Sequence, residues 1–427
     1  MSSRQYGRLA GGLLVATALA AQAAPHAGRK GAGLDEHWVS AWGSAQMVPE
    51  GANALPDAQW RDASLRQVVR LSLRAKTLRV RLSNVFGTAP LVVDAASVAL
   101  LRQLGSADLQ PGTLRPLRFL GEASVTIPAG AEYLSDPVEL DVAAGGDLAL
   151  SLHFLQEPAR QTGHPGSRSR SYVVAGNQVM AEQWADAQAV ERWYQIADVE
   201  VRAPKAVGAI AFIGDSITDG YGVQADTNSR WTDFLFQRLQ REHFPAMGLV
   251  NTGIGGGRLL RDGLGPNAVA RFERDVLTRA GVTHAVVQIG VNDLGVPHRN
   301  GEDDAPYRAR LLADMKLGLS NLAERAHALG ICVLMGTLTP NAGSEYYHFS
   351  ADNERDRQAL NAWIRSSALF DAVADFDAAT RDAAQPDRYA ALAESTDGLH
   401  PGLGGRQAMA AAVPLNALRS CKWKTKP

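Results

Sequence analysis

The chain has 427 residues, of which 46% are hydrophobic and 20% charged, and 43 basic against 44 acidic side chains leave a formal net charge of -1. That is ample apolar material for a core and for about two or three domains, and near-neutrality removes the basic footprint of a nucleic-acid binder. Two cysteines are too few for a disulfide scaffold or a structural zinc site.

At the N-terminus, Arg4 and Arg8 precede an apolar stretch from Leu9 to Ala20 that closes on Ala21-Gln22-Ala23. This pattern predicts a secretory signal peptide over 1–23, cut after Ala23 and followed by a linker over 24–34. The run is shorter than the roughly 18 apolar residues that a spanning helix needs. A secreted or periplasmic protein with no stable membrane insertion is therefore expected.

From about Asp35 to 202 the dominant period is two. Val69, Leu71 and Leu73 alternate with Arg70, Ser72 and Arg74; Leu78, Val80 and Leu82 with Arg79, Arg81 and Ser83; Leu148, Leu150, Leu152 and Phe154 with Ala149, Ser151 and His153. Each run reads as a half-buried antiparallel strand. Gly87, Pro90, Pro128-Ala129-Gly130 and Gly145-Gly146-Asp147 punctuate the runs as turns do, so an antiparallel β-sandwich, jelly-roll-like, is predicted as an accessory domain. Within it His164 and Asn84 are candidate contributors to a site, although turn chemistry is the plainer reading of both. Trp38 and Trp42 can stack on a sugar or fill the core.

After Ala203-Pro204-Lys205 the period changes. Short apolar runs over 207–213, 249–252, 285–289, 331–338 and 372–376 alternate with stretches of helical spacing. Trp231, Phe234, Leu235 and Leu239 fall on one helical face, and 268–280, 307–329, 353–369 and 403–418 also read as helices, with Pro414 stopping or kinking the last. Alternating strands and helices predict an α/β domain over 203–420 with five parallel strands covered on both faces. Cys332 opens the fourth strand and Cys421 follows the last helix, where a helix returns toward the strands' N-terminal ends; a bond between them and a buried free Cys332 are both compatible with this. Residues 421–427 read as a solvated basic tail.

Ligands of such sheets bind beyond the carboxyl ends of the strands, and the polar motifs cluster there. Ser216, in Gly214-Asp215-Ser216-Ile217, follows the first strand at a turn that exposes its side chain and aims its own N–H outward. The block from Asn251 to Gly257 follows the second, and its glycines let backbone approach a bound oxygen. Gly290-Val291-Asn292-Asp293 follows the third, where Asn292 offers an uncharged side-chain donor. Asp397 and His400, three apart, follow the fifth; the carboxylate can hold the imidazole Nδ1–H and leave Nε2 to take a serine proton. Each motif alone is ordinary turn or cap chemistry, and the conjunction is what points to a nucleophilic hydrolase.

These blocks, in this order, resemble the SGNH family of hydrolases, also called GDSL-type, over about 204–418, with Ile217 where the family nickname has Leu. The resemblance implies a flavodoxin-like three-layer α/β/α fold, Ser216 as nucleophile, His400 as base, Asp397 as its partner, and the N–H groups of Ser216, Gly256 and Asn292 as an oxyanion hole. With three consecutive glycines present, Gly255 and Gly257 stay open as alternatives to Gly256. Asn228-Ser229-Arg230-Trp231, the segment 258–263 and Trp38-Val39 are similar to a secreted subgroup of arylesterases and carbohydrate esterases.

The expected activity is hydrolysis of short-chain acyl or acetyl esters of small molecules or polysaccharides through an acyl-serine. No cofactor is called for: the ten histidines form no His-Glu-x-x-His or paired metal spacing, and there is no Gly-x-Ser-x-Gly elbow to offer a rival serine. A lipase or acyltransferase of the same fold, and a non-catalytic carbohydrate-binding scaffold, are the alternatives.

Overall fold

The change of period near residue 204 is a change of architecture in the computed structural model, which describes residues 35–393 and 395–423. The predicted signal peptide, the linker and the last four residues lie outside the described residues. Before residue 204 the strands pair antiparallel in two main sheets. In one, Ile196–Pro204 lies between Glu36–Gly43 and Ala75–Ser83, with Glu132–Leu134 and Val138–Val142 beyond. In the other, Ala63–Arg70 and Asp147–Phe154 are the central pair of six. Leu78, Val80, Leu82, Val98, Leu148, Leu150, Leu152, Val199 and Val201 fill the space between the sheets.

Ala75–Ser83 keeps the alternation expected of a half-buried strand, but the central pair does not. Ala63–Arg70 and Asp147–Phe154 are buried on both faces, because Leu101, Ala107, Leu109, Tyr172 and Trp184 cover their outer side as a second small core with Val68 and Ala149. The buried Arg66 there donates to Ser151 Oγ and to the carbonyls of Ala107 and Ala181, and lies 4.0 Å over the Trp184 ring. The strand also ends at Arg70, so Leu71 and Leu73 enter the core from the following turn.

Beyond residue 204 the strands β1 (Gly208–Gly214), β2 (Met247–Gly253), β3 (Val282–Gln288), β4 (Cys332–Gly336) and β5 (Ala372–Ala374) form one parallel sheet in the order 2-1-3-4-5. Because the order reverses between β1 and β3, a crevice opens at their carboxyl ends. Helices α1 (Ser216–Asp219), α2 (Trp231–Arg241), α3 (Ala268–Phe272), α4 (Val291–Asn300), α5 (Ala305–Ala328) and α6 (Ala351–Ser366) connect the strands, and α7 (Phe376–Thr380) and α8 (Leu403–Ala412) follow β5. Phe272, Met315, Leu319, Leu322, Leu360 and Ile364 pack on one face of the sheet. Trp231, Leu235, Leu239, Phe376, Met409 and Ala410 pack on the other.

The helix expected over 268–280 is shorter: α3 passes at Glu273 into a π turn that ends at Leu277. The segment 403–418 stops at Ala412 and resumes after Pro414 as a short 3-10 turn, as the missing proline N–H requires. Helix α4 escaped the periodicity reading because Gly295 and Pro297 interrupt it. Cys332 and Cys421 are joined in a disulfide. Edge strand β2 is covered by the antiparallel region: Leu249 N donates to Ser72 Oγ at 2.8 Å, and a Cβ on Gly248 would lie 2.0 Å from Ser40 O. Among the described residues no helix is long and apolar enough to cross a membrane.

Candidate active site

The apolar run of β1 ends at Gly214, and Asp215 turns the chain into α1 by accepting the Ile217 N–H at 3.0 Å. This cap places Ser216 at the first position of a one-turn helix that Gly220, at φ 95°, closes. The Ser216 hydroxyl donates to His400 Nε2 at 2.8 Å. His400 Nδ1 donates to Asp397 Oδ2 at 2.6 Å. A carboxylate only accepts, so Nδ1 carries the proton and Nε2 is the free base facing the hydroxyl.

Asp397 is fixed in turn. Its Oδ1 accepts the backbone N–H groups of Leu399 and His400 at 2.9 and 2.8 Å. Partial burial alone would raise this carboxyl, but the hydrogen bond from the His400 ring and those two N–H groups outweigh it and hold it below the ordinary carboxylate range. Gly398 adopts φ 68° where the turn presses on the neighbouring loop; a Cβ there would lie 2.0 Å from Gly343 O. Tyr221 covers the His400 ring at a centroid distance of 4.2 Å.

The candidate donors follow β2 and β3. Gly257 N is used within its own turn, donating to Ile254 O at 2.9 Å, while Gly256 takes φ 68°. Asn292, on the first turn of α4, is buried and held at both ends of its amide. Its Nδ2 donates to Gly257 O at 2.8 Å, and its Oδ1 accepts from the Tyr347 hydroxyl at 2.7 Å. A carbonyl cannot donate, so the amide nitrogen must face Gly257, and this bond uses one of its two N–H groups. Gly295 makes the Tyr347 contact possible, since a Cβ would stand 2.6 Å from the ring. Asp293 accepts the N–H groups of Leu259 and Leu260 and so ties the end of the glycine block to α4.

Burial raises two of the local carboxyls. Asp215 is pushed up to about 7 by desolvation, against its hydrogen bond from Ile217 N and with the Asp293 charge adding to the rise. Asp293 is pushed up to about 6 by desolvation, against the two backbone donors. Beneath them the buried Arg271 donates to Thr252 O at 2.6 Å and to Gly214 O at 3.0 Å, clamping the carboxyl ends of β2 and β1 together. No group of three or more His, Cys, Asp or Glu side chains that could hold a metal ion is gathered among the described residues.

His400 thus links Ser216 to Asp397, and Asn292 joins the glycine block through Gly257 O. Tyr221, Tyr347 and Arg271 escaped sequence reasoning; the nearest signal was an arginine four residues before Asp275 on a helix face meant to be buried. Asn84 is a turn residue as expected, its amide donating to the carbonyls of Ala89, Ile127 and Pro128. His164 is not a plain turn residue: it lies in a two-stranded ladder, buried against Asp219. Trp42 is in the core, edge-on to Trp193, and Trp38 carries the Arg79 and Arg202 guanidinium groups on its ring.

Residues 212–408 match the model of the GDSL-like lipase/acylhydrolase family. Similar solved structures include a GDSL-like lipase from Bacteroides thetaiotaomicron, 18% identical, with 50% of this chain and 89% of that one covered at a TM-score of 0.36. An acetyl xylan esterase from Geobacillus stearothermophilus is 20% identical, with 50% of this chain and 96% of that one covered at a TM-score of 0.33. An alpha/beta hydrolase from the Lake Arreo metagenome is 20% identical, with 51% of this chain and 99% of that one covered at a TM-score of 0.35. No curated protein sequence matches the chain.

Proposed function

We propose, for a chain whose residues 212–408 belong to the GDSL-like lipase/acylhydrolase family, hydrolysis of short-chain carboxylic esters through an acyl intermediate on Ser216. The observation that carries this reading is the continuous relay from Ser216 Oγ through His400 to Asp397, at 2.8 and 2.6 Å. In it, His400 Nε2 takes the hydroxyl proton as Oγ attacks the acyl carbonyl. The N–H groups of Ser216 and Gly256 and the second Nδ2–H of Asn292 receive the oxyanion, and Asp397 stabilises the imidazolium. His400 then protonates the departing alkoxide, and water activated by the same imidazole releases the acid. The engagement of Gly257 N within its own turn favours Gly256 over Gly257 as donor.

The short-acyl reading follows the resemblance of the sequence to arylesterases and carbohydrate esterases. Export is supported by the N-terminal sequence pattern and by the disulfide, which belongs to an oxidising compartment. The β-rich part, 35–202, is read as an accessory domain to the hydrolase part, 203–420.

Replacing Ser216 with Ala tests the reading. Release of p-nitrophenol from the acetate ester is expected to vanish, and a fluorophosphonate probe should label Ser216 in the parent alone. Turnover retained by Ser216→Ala would overturn the assignment. A series of p-nitrophenyl esters from acetate to palmitate, run beside acetylated xylan, separates an esterase from a lipase, and a preference for the long chains would refute the short-acyl reading.

A further inference from the structure

Asp219 closes α1 three residues after Ser216 and is 4% exposed. Its Oδ1 lies 2.9 Å from His164 Nε2, and His164 Nδ1 lies 2.9 Å from Ala45 O. Both His164 and Ala45 come from the antiparallel β region. A carbonyl oxygen only accepts, so Nδ1 carries a proton and Nε2 shares a second with the Asp219 carboxyl. The imidazole is itself held in place. Gly163–His164 pairs with Trp193–Tyr194, the ring stacks on Trp193 at 5.7 Å, and Gly163 exchanges backbone hydrogen bonds with Met47.

Asp219 also stands between the nucleophile turn and the glycine block. A Cβ on Gly253 would lie 2.3 Å from Asp219 N, one on Gly255 3.5 Å from Asp219 Oδ2, and one on Gly166 2.1 Å from the same oxygen. A one-turn helix has little stability of its own, so the orientation of α1 relative to the glycine block depends on what grips its far end. We infer that His164, supplied by the β region, is a positioning residue that acts through Asp219 to hold the Ser216 turn in register with the glycine donors.

This rests on Ser216 being the nucleophile, and it makes the β region a working part of the site. The loop that carries His164 is secured independently: Arg170 donates to both carboxylate oxygens of Asp226 through its N–H and Nη1, Asp226 N donates to Arg168 O, and Arg230 Nη2 donates to Ser167 O. Changing the ring at 164 therefore alters the ring's own contacts with Asp219, Ala45 O and Trp193 and leaves these other anchors of the loop in place.

The test compares His164→Asn, which can keep the bond to Ala45 O but cannot reach Asp219, with His164→Gln, which can reach Asp219 with an amide N–H and gives up Ala45. Steady-state kinetics with p-nitrophenyl acetate, the rate of fluorophosphonate labelling and circular dichroism are measured on the full chain. In folded protein, His164→Asn is expected to lose at least tenfold in kcat and in labelling rate with KM within about twofold, and His164→Gln to recover most of that loss. Equal losses in the two variants, or no loss in His164→Asn, overturn the inference. Should neither variant fold, Asp219→Asn and Asp219→Ala decide between them: the first can still offer an amide N–H to an unprotonated Nε2 and the second offers nothing, so a loss of at least tenfold in kcat in Asp219→Ala that Asp219→Asn largely recovers supports the positioning role, and equal values in the two refute it. A parent that the probe never labels at Ser216 has lost the nucleophile reading itself. A parent and both variants labelled equally fast have lost only the role of His164.

Discussion

Replacing Asn292 tests the oxyanion reading at the point where its geometry is most constrained. Its amide is clamped by Gly257 O and the Tyr347 hydroxyl at 2.8 and 2.7 Å, so the remaining N–H has a fixed direction before substrate arrives. A pre-oriented donor of this kind contributes about 2.7–4 kcal/mol to the transition state, or about 10²–10³ in kcat. Asn292→Ala should therefore lower kcat with p-nitrophenyl acetate by about that factor. KM should change little, because the donor meets charge that exists only after attack. The change also strands two buried groups, the Tyr347 hydroxyl and Gly257 O, each at about 1–3 kcal/mol, so the thermal midpoint should fall as well. Asn292→Asp should cost at least as much activity, since a carboxylate has no N–H and repels the oxyanion. Tyr347→Phe removes one hydrogen bond of about 1 kcal/mol while the Gly257 contact still orients the amide, so kcat should fall less than about tenfold. A folded Asn292→Ala protein whose kcat stays within fivefold of the parent would refute the assignment of this donor.

Two further outcomes concern stability. The folded-state value of about 7 for Asp215 stands above its ordinary 3.8, so the native protein binds the extra proton between these values and loses stability as pH rises through them, by at most about 1.4 kcal/mol per pH unit. Asp215→Asn cannot ionise there, so its thermal midpoint should gain on that of the parent between about pH 4 and pH 7; a constant difference across that range would refute the assignment. The Cys332–Cys421 bond spans 89 residues, for which loop entropy predicts about 4–5 kcal/mol. The tail keeps other anchors, since Trp423 donates to Asp371 Oδ1 at 3.0 Å and stacks on His327, so Cys421→Ser should cost about 2–5 kcal/mol in urea unfolding. Its kcat should be unchanged, because the bond lies at the start of β4 and the site at the opposite strand ends. No response of the unfolding midpoint to reductant would contradict this.

Residue order alone determined the part of this protein that is written locally. The switch from period two to alternating strands and helices near residue 204, the cap at Asp215, the left-handed glycines and the three-residue spacing of Asp397 and His400 all arise from neighbours a few positions apart. Because parallel strands bring their carboxyl ends to one edge, the order of the motifs also implied that they meet. What only the tertiary structure decided are pairings between distant segments: Tyr347 on Asn292, Arg271 under Gly214, His164 on Asp219, Cys332 on Cys421, and the second cover that buries both faces of Ala63–Arg70. None of these leaves a periodic or turn signature, since each depends on which faces pack together after folding. A tyrosine or histidine reads the same in sequence whether it holds a polar side chain at a site or fills a core.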